Sequence, residues 1–571
     1  MRTLVIALIL AALPAVAGAQ RDTAAGPQLL PANVRAEVVD RWNSPVVLRA
    51  SDKTEIAQGR EVGGDLAIAG GPLVVAGHIA GNVLAVNSDV VLQPTARVDG
   101  DILVVGGDVQ GRSEADVRGA IRIYREPLRY RLDGDRMVAL RSEPSAEEDE
   151  GWWRRIERRR TASWSDLRVA QAGAYNRVEG LPVSLGPTIV GRRPWGGFRA
   201  DAAAVVRTGS SFDDKHGDVG HNVRAEVRFG RGRGIGFGGR MYDIVDPVEK
   251  WQLSDLEVAL ASFLAHRDYR DYYQRHGARG YVTFFANQDV SLTTGFGEER
   301  WGSRDLRDPF TLFHNQDAWR PNPTMDEGLF HIANATLRFD TRTDEDDPWS
   351  GWYITADMEG GRGTMSSLAP TDPARAIPSG AVSYTRGFVD ARRYNHLWPD
   401  AQLNLRLVLG GWLNGDPLPL QRRLSVEGPG SLPGFDFRSE RAGPDVGTCT
   451  EGAAVPGAPA QCDRVALGQL EYRGALHFNF NPGWEDWPRG RYRSSHTDAQ
   501  WVAFFDAGRG WRVGVPDGSM TYSRSALPPV SSFRTDVGAG LDLGFFGVYG
   551  AKSVSTPSQP ANFFVRLRHR F

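Results

Sequence analysis

The chain has 571 residues, a formal net charge of −2, 66 glycines and 10% aromatic residues. The near-neutral charge argues against a nucleic-acid partner, because binding to a phosphate backbone depends on an excess of positive charge. The glycine and aromatic content suits a turn-rich, all-β protein, and the length allows more than one domain.

The N-terminus has the pattern of a secretory signal peptide. Arg2 precedes an apolar run over residues 4–16, and the small residues Ala17, Gly18 and Ala19 follow it. We expect cleavage after residue 19, so that the mature chain leaves the cytoplasm. No later stretch offers the ~18 uninterrupted apolar residues of a membrane-spanning helix, so a membrane role would require strands. Residues 20–55 are predicted to form an N-terminal extension.

Residues 56–127 contain a short internal repeat. Its units begin at Gly64-Asp65-Leu66, Gly81-Asn82-Val83, Gly100-Asp101-Ile102 and Gly119-Ala120-Ile121. Short strands separated by such turns, stacked rung on rung, bury a continuous core in a β-solenoid. The segment resembles the rungs of bactofilins and related polymer-forming domains, which implies solenoid self-association. An ordinary small β-domain is the alternative.

Residues 128–165 are predicted to form a charged linker. An acidic block at residues 147–150 precedes a Trp- and Arg-rich segment at residues 152–160. Paired tryptophans beside arginines suit a membrane interface, where indole rings lie among headgroups and guanidinium groups contact phosphates. A charged surface helix is the alternative interpretation.

Residues 166–571 alternate apolar and polar side chains in a succession of strands with polar turns. The clearest strands cover residues 178–189, 198–206, 223–229, 281–285, 335–339, 352–356, 403–409, 465–480, 501–505 and 537–549. With weaker candidates added, roughly fourteen to sixteen strands fit, each near the ~9–11 residues that cross a bilayer at a tilt. We therefore predict an all-β chain, in which a transmembrane antiparallel β-barrel follows the short solenoid.

The last nine residues show the alternation clearly. Phe563, Val565, Leu567 and Phe571 share one parity, and the arginines at 566, 568 and 570 share the other. Such a strand suits a barrel in lipid, with its apolar side against acyl chains and its polar side in a wet lumen. His569 breaks the apolar parity, and we expect it at the membrane interface.

The two cysteines, Cys449 and Cys462, lie in one Gly- and Pro-rich segment. In an exported protein we expect a disulfide that closes a small extracellular loop. A metal site is the less favoured alternative, because no histidine lies near them.

Three late segments carry a family resemblance. Residues 424–438 read LSVEGPGSLPGFDFR, residues 469–473 read QLEYR, and residues 501–508 read WVAFFDAG. They resemble the long loop, the strand after it and the Phe-x-Asp-x-Gly strand of BamA/TamA-type outer-membrane assembly barrels, the bacterial surface antigen family. Residues 538–571 resemble that family's closing strands, and residues 175–181 (YNRVEGL) resemble an opening strand.

The resemblance implies that the loop tip folds back into the lumen and is locked to the facing strand. The residues of this predicted lock are Gly434, Phe435, Arg438, Asp506 and Gly508. Where the family places Arg before Gly-Phe, this chain has Pro433, which removes the usual partner of the strand carboxylate. A carboxylate inside a lumen still needs a cationic or hydrogen-bonded partner, so we expect Arg438 first and Arg441 second to bind Asp506.

The resemblance also implies a weak seam between the first and last strands, at about residues 175–189 and 563–571. Tyr175, Phe563 and Phe571 mark this lateral seam, which would open sideways and template a client strand by strand addition. Nothing in the sequence resembles the periplasmic POTRA modules of the family. The solenoid stands in their place.

Motifs for catalysis or metal binding are weak. His266, Asp268, Asp271 and His276 have a spacing that a metal could use, with a solvated loop as the favoured alternative. No Gly-x-Ser-x-Gly, HExxH or Walker pattern occurs. The acidic residues suit lumen carboxylates that balance lumen arginines; these are Glu427, Asp436, Glu471 and Asp506, with Arg438, Arg473, Arg566, Arg568 and Arg570. We predict no enzyme activity, no metal and no cofactor.

Three functions remain open at this stage. The leading hypothesis is an outer-membrane barrel that helps to insert, assemble or export envelope proteins or lipids, with the solenoid in the periplasm. Its partners would be outer-membrane lipid and unfolded outer-membrane-protein clients or periplasmic factors. The alternatives are a structural anchor, whose solenoid polymerises or docks, and a passive pore, and fold alone does not choose among them.

Overall fold

The computed structural model describes residues 32–571 except 51–53, 70, 113, 125–127, 129, 134–135, 140–162, 194, 210–217, 231–232, 288, 314–317, 343–347, 349, 368–379, 399–400, 439–442, 453–457, 477–498, 517, 544–545 and 568. The chain divides into two compact units, Met1–Arg159 and Arg160–Phe571. The predicted signal peptide and the Trp- and Arg-rich segment lie outside the described residues. None of the described helices is long and apolar enough to cross a membrane.

The first unit is a parallel β-solenoid of about four turns, which confirms the predicted architecture. Its strands are β1 (Leu48–Ala50), β2 (Thr54–Ile56), β3 (Glu61–Val62), β4 (Leu66–Ala69), β5 (Leu73–Val75), β6 (His78–Ile79), β7 (Val83–Val86), β8 (Val90–Leu92), β9 (Arg97–Val98), β10 (Ile102–Val105), β11 (Val109–Gln110), β12 (Asp116–Val117) and β13 (Ile121–Tyr124). They form three parallel sheets, ordered β1-β4-β7-β10-β13, β2-β5-β8-β11 and β3-β6-β9-β12.

The repeated Gly-Asp and Gly-Asn pairs explain how the turns stack. The Oδ1 atom of Asp65 accepts the main-chain N–H of Asn82 (2.7 Å), and Oδ1 of Asn82 accepts the N–H of Asp101 (2.9 Å). A Cβ on Gly81 would lie 2.4 Å from the carbonyl carbon of Gly64, so only glycine allows adjacent turns to approach this closely. The same positions also align Leu66, Val83 and Ile102 in register inside the core.

A helix and a hairpin cover one outer face of the solenoid. They are α1 (Ala32–Asn43) and the pair β14 (Tyr130–Asp133) and β15 (Arg136–Ala139). Val38 and Trp42 of α1 pack against Leu84 and Leu103, on the side of the sheet opposite the solenoid core. Strand β1 already pairs with β4, so the solenoid begins before residue 56. The sequence gives no signal for this turn, because β1 carries none of the Gly-Asp signature of the later turns.

The second unit is one large sheet, consistent with the predicted barrel. Its strands are β16 (Ser163–Gln171), β17 (Pro182–Arg193), β18 (Gly196–Arg207), β19 (Val219–Phe229), β20 (Gly234–Pro247), β21 (Tyr272–Phe285), β22 (Val290–Gly302), β23 (Glu327–Asp340), β24 (Gly351–Ser367), β25 (Ala381–Trp398), β26 (Ala401–Gly415), β27 (Arg464–Ala475), β28 (Gln500–Val513), β29 (Thr521–Tyr522), β30 (Arg534–Asp542), β31 (Phe546–Ser553) and β32 (Asn562–Leu567). Each pairs antiparallel with the next, except that two-residue β29 pairs parallel with β28, and β28 pairs antiparallel with β30.

The connections differ in length between the two ends of this sheet. The turns at residues 194–195, 230–233 and 286–289 are short, whereas the connections at residues 248–271, 303–326 and 416–463 are long. Antiparallel order puts these short turns at one end of the sheet and these long connections at the other. Helix α2 (Asp255–Ala265) and a 3₁₀ turn (Leu420–Arg422) belong to two of the long connections, and a second 3₁₀ turn (Val530–Ser532) precedes β30.

The two faces of the sheet reverse the polarity of a water-soluble barrel. On β26 the apolar side chains of Leu405, Leu407 and Leu409 are 42–48% exposed, while the alternating Asn404 and Arg406 are each 3% exposed. Outward apolar residues recur on other strands, including Leu185, Val223, Met241, Leu292, Phe296, Leu329, Met358, Leu470, Phe505, Val537 and Val548. Apolar residues on the outer face with buried charges inside are the pattern of a barrel in lipid.

Candidate functional site

The long connection between β26 and β27, residues 416–463, is buried for much of its length; we call it the inserted loop. Ser425, Glu427, Leu432 and Phe435 are at most 1% exposed, although the loop joins two strand ends. The Gln469 side chain, on β27, donates to the Ser431 carbonyl (3.0 Å). The loop therefore lies against the inner face of the sheet.

Gly434 and Phe435 form the tip of the inserted loop, and β30 holds both of them. The Gly434 N–H donates to Oδ2 of Asp536 (2.8 Å). A Cβ at Gly434 would lie 2.6 Å from Cβ of Asp536, so the close approach requires glycine. The guanidinium of Arg534 lies 4.7 Å from the ring centroid of Phe435.

Gly508 faces the same loop, from β28. A Cβ there would lie 2.7 Å from Cγ1 of Val426, so the bare strand position makes room for the loop. Of the predicted lock residues, Gly434, Phe435 and Gly508 all lie where loop and strands meet.

The predicted pair between Arg438 and Asp506 is wrong. Asp506 is fully buried and forms an ion pair with Arg570, which follows the last strand. The guanidinium of Arg570 also lies 3.6 Å from the ring centroid of Phe504. Arg438 points elsewhere: its N–H donates to Glu427 (3.0 Å), and its guanidinium lies 3.6 Å from Glu249. Arg441 lies outside the described residues.

The chain end also differs from the sequence prediction. Strand β32 ends at Leu567, so Phe571 is not part of it. His569 lies 3.1 Å from Oδ2 of Asp542 in a half-buried position. Arg473 from β27 binds the same Asp542 oxygen (2.7 Å). His569 therefore contacts a buried ion pair of the inner face.

The first strand of the second unit lies one strand earlier than predicted. Ser163–Gln171 is the first strand, and Tyr175 lies in the connection that follows it. The Tyr175 hydroxyl donates to the Phe310 carbonyl, and its ring packs edge-on against Phe263 (5.4 Å between centroids). Sequence reasoning missed β16 because its Ser-, Asp- and Arg-containing alternation is weak.

Among the strands that the structure describes, no pairing joins β16 to β32. Several outward side chains on these two strands are more exposed than the outward leucines of β26. Leu167 and Val169 on β16 are 74% and 68% exposed, and Phe563 on β32 is 81% exposed, against 42–48% along β26. Both strands therefore present open edges.

Helix α2 contacts the last strand from inside. Ser254 and Glu257 form a capping box at its start, and Oε1 of Glu257 accepts from Nε of Arg566 (2.6 Å) and from the N–H of Leu567 (3.1 Å). Burial alone would raise the pKa of the Glu257 carboxyl, but the ion pair with Arg566 and the hydrogen bonds from Ser254 together outweigh burial and lower the pKa. We did not predict this helix, although Ser-x-x-Glu before an apolar run is a recognisable start signal.

The inserted loop contacts the last strand as well. Arg566 donates to the Pro429 carbonyl (3.2 Å), and the Asn562 side chain donates to the Pro433 carbonyl (3.1 Å). Two elements from different long connections therefore hold the inner side of one edge strand.

The histidines and carboxylates considered as a metal site have other partners. Asp268 and Asp271 form ion pairs with fully buried Arg177 (3.1 and 3.2 Å). His266 ends helix α2 and packs against Trp319, with 3.9 Å between ring centroids, whereas His276 lies in β21. Within the described ranges, no group of three or more His, Cys, Asp or Glu residues could hold a metal ion.

Glu249 connects this cluster of ion pairs to the inserted loop. Its carboxylate accepts from the N–H of Ser425 (2.9 Å) and from its hydroxyl (2.8 Å). Burial raises the pKa of Glu249, and nearby Arg438 and the Ser425 hydrogen bonds only partly oppose that effect.

The structure joins Cys449 and Cys462 in a disulfide within the inserted loop. The disulfide lies over β28, since a Cβ on Gly510 would be 2.2 Å from Sγ of Cys462. Leu424 and Cys462 also exchange main-chain hydrogen bonds (3.0 and 3.2 Å), which closes the loop on itself.

No family model and no curated protein matches the chain. Several solved structures do. The crystal structure of BamA from Haemophilus ducreyi lacking POTRA domains 1-3 has 14% identity and a TM-score of 0.39, over 72% of this chain and 71% of that one. CdiB from Acinetobacter baumannii has 10% identity and a TM-score of 0.30 (71% and 66% covered), and CdiB from Escherichia coli has 12% and 0.30 (77% and 67%). Each is a partial likeness at low identity.

Proposed function

We propose that the protein is an outer-membrane barrel that assists the insertion, assembly or export of envelope proteins or lipids, with its solenoid in the periplasm. The observation that carries the membrane assignment is the inverted polarity of the sheet. Along β26 a row of leucines faces outward while Asn404 and Arg406 are buried. Such a surface would be costly in water and is favourable against acyl chains.

The observation that favours client handling is the pair of open edges at β16 and β32. An edge strand presents unpaired N–H and C=O groups and can add a strand from another chain. A barrel that serves only as an anchor or passive pore gains nothing from an open edge. The buried inserted loop also occupies the inner face of the sheet, which disfavours a wide passive pore.

Depletion of the protein in its native host tests this function. We expect the levels of outer-membrane proteins to fall broadly when the membrane proteome is quantified. A normal membrane proteome would contradict the proposal. Recovery of the mature chain in the soluble periplasmic fraction would overturn the membrane assignment itself.

A structural anchor is the second candidate, and the solenoid supports it. Its first strand, β1, is a sheet edge with Leu48 57% exposed, so an extended partner could continue the stack. Altered cell shape on depletion, with unchanged levels of outer-membrane proteins, would favour this candidate.

A further inference from the structure

We infer that Glu257 is a latch that holds the last strand and competes with any chain that pairs with it. The inference rests on the proposed function, because it concerns the regulation of the same seam.

The first argument is the bonding of the carboxylate. Oε1 of Glu257 binds both the Arg566 side chain (2.6 Å) and the main-chain N–H of Leu567 (3.1 Å). A main-chain N–H is the group that a neighbouring strand would use for pairing. While Glu257 holds it, the N–H of Leu567 is committed to a helix and not to a strand.

The second argument is that the carboxylate is oriented in advance. Its other oxygen, Oε2, accepts from the N–H and the hydroxyl of Ser254 (both 2.9 Å). This capping box directs Oε1 towards the last strand. The Arg270 side chain then fixes the helix start by binding Asp255 (2.5 Å) and the Leu253 carbonyl (2.6 Å).

The third argument is the position of the contact in the sheet. Glu257 lies more than 300 positions before Arg566 in the chain, yet it reaches the strand whose outer neighbour is absent from the described pairings. The inserted loop adds two hydrogen bonds to the same strand: the Pro429 carbonyl accepts from Arg566, and the Pro433 carbonyl accepts from Asn562. Of these contacts, the one between Glu257 and Arg566 joins two charged groups, and Glu257 also binds the main chain of Leu567, so its loss should release the strand most.

Hydrogen–deuterium exchange on the full-length protein in detergent micelles tests the latch. Glu257→Gln removes the charge but preserves a capping-box residue, so helix α2 should remain. We expect amides in residues 562–567 to exchange about ten- to a hundredfold faster than in the wild type, the range for loss of a charge-assisted hydrogen bond.

The matched control is Glu299→Gln. Glu299 is also a buried carboxylate with an arginine partner, Arg275, but it lies on β22. It should leave exchange at residues 562–567 unchanged. Equal exchange in Glu257→Gln and the wild type, or equal acceleration by both variants, would overturn the latch. Should Glu257→Gln not fold, Arg566→Lys provides the same readout, because lysine keeps the charge but lacks the Nε donor.

A binding experiment addresses the competition directly. The probe is a labelled peptide with the sequence of β16, residues 163–171, and its affinity for wild-type and Glu257→Gln protein is compared by fluorescence anisotropy. We expect about tenfold tighter binding to the variant. Unchanged affinity would reject the competition. The two proposals can fail separately. Faster exchange of residues 562–567 in Glu257→Gln, with normal outer-membrane protein levels after depletion, would reject the proposed function but support the latch.

Discussion

The solenoid strands bury aliphatic side chains, whereas many barrel strands bury charged side chains and expose apolar ones. In the solenoid, Val83 and Val104 point inward and are fully buried, while Arg97 and Asp116 lie at the surface. In the barrel, Leu407 points outward, and Arg406 and Asp506 are buried. The central solenoid strands β4, β7 and β10 are buried on both faces, whereas barrel strands such as β26 alternate, so the surroundings of each face decide which side chains it carries.

The comparison also explains how buried charge is tolerated in only one unit. The described core of the solenoid is aliphatic, whereas the barrel interior contains ion pairs such as Asp506 with Arg570 and Glu257 with Arg566. A buried charge is stable when it is paired and hydrogen-bonded. A buried charge introduced by substitution should therefore lower the stability of the solenoid more than that of the barrel.

The largest effect is expected from a charge in the solenoid core. Val104→Asp should destabilise the solenoid by on the order of 5 kcal/mol or more, because no partner is available for a carboxylate among aliphatic side chains. Limited proteolysis of the full-length protein should then cleave within residues 48–124. The control, Val91→Asp, adds the same charge at a partly exposed position and should remain resistant. Resistance of Val104→Asp would contradict the assigned core.

Removing one partner of a buried ion pair should have the next largest effect. Asp506→Ala removes the closer carboxylate partner of Arg570 and leaves only Glu471, 3.7 Å away, so it should cost up to about 3–5 kcal/mol. The unfolding temperature in detergent, followed by the gel mobility of unheated samples, measures this loss. Asp506→Ala with Arg570→Ala should be clearly less destabilising than the sum of the single changes, and strict additivity would exclude the pair.

The loop tip provides a separate test, because Asp536 holds it instead of Asp506. Asp536→Ala should expose the inserted loop to protease, through loss of the Gly434 hydrogen bond. Loss of this buried hydrogen bond, which leaves the Gly434 N–H without its acceptor, should cost about 1–3 kcal/mol. Arg438→Ala should not reproduce the effect of Asp506→Ala on the chain end, since Arg438 binds Glu427 and Glu249.

Lipid contact can be tested on the outer face with Leu407→Arg. In a bilayer an arginine near the midplane should cost about 2–4 kcal/mol, whereas a water-exposed site would change stability by less than about 0.5 kcal/mol. Denaturant unfolding from lipid vesicles distinguishes the two. Val515→Arg, in an exposed connection outside the strands, is the matched control. Equal midpoints for both variants would mean that Leu407 does not face lipid.

Much of the architecture was predictable from the sequence, because period-two alternation and a recurring Gly-Asp turn are local signals. The solenoid repeats and the antiparallel strands follow from those signals directly. Gly434, Phe435 and Gly508 are buried where the inserted loop meets β28 and β30, and their action as a lock stays a prediction. The first strand was not predictable, since β16 has too few apolar residues to signal a strand.

The partners of the buried charges could not be predicted, because ion pairing depends on long-range geometry. Arg570 belongs to the polar parity of the last residues, but nothing local shows that the chain turns inward after Leu567 to reach Asp506. Arg438 is closer to the tip in sequence, yet Glu427 and Glu249 surround it. Closeness in sequence to the loop tip was therefore the wrong criterion for choosing the arginine that pairs with Asp506.

The smallest predicted effect is a dependence on pH where α1 covers the solenoid. Arg122 donates to Glu37 of α1 (2.9 Å), and Arg41 forms a second ion pair with it (2.8 Å). The hydrogen bond from Arg122 is the main reason why the pKa of Glu37 is lowered. A lowered pKa means that the pair stabilises the folded state fully above the unfolded pKa of about 4.3, and that this contribution is lost as pH falls through the folded pKa.

Acidification below about pH 4 should therefore loosen α1, with a loss of less than about 1 kcal/mol for this partly exposed pair. Amide exchange of residues 34–43, measured from neutral to acidic pH and corrected for intrinsic rates, should accelerate in the wild type. Glu37→Gln should exchange slightly faster at neutral pH and show a weaker dependence on acid, because it has no carboxylate to protonate. Parallel pH curves for both proteins would assign the acid response to other groups, and Glu61→Gln, at an exposed carboxylate on β3, should follow the wild-type curve.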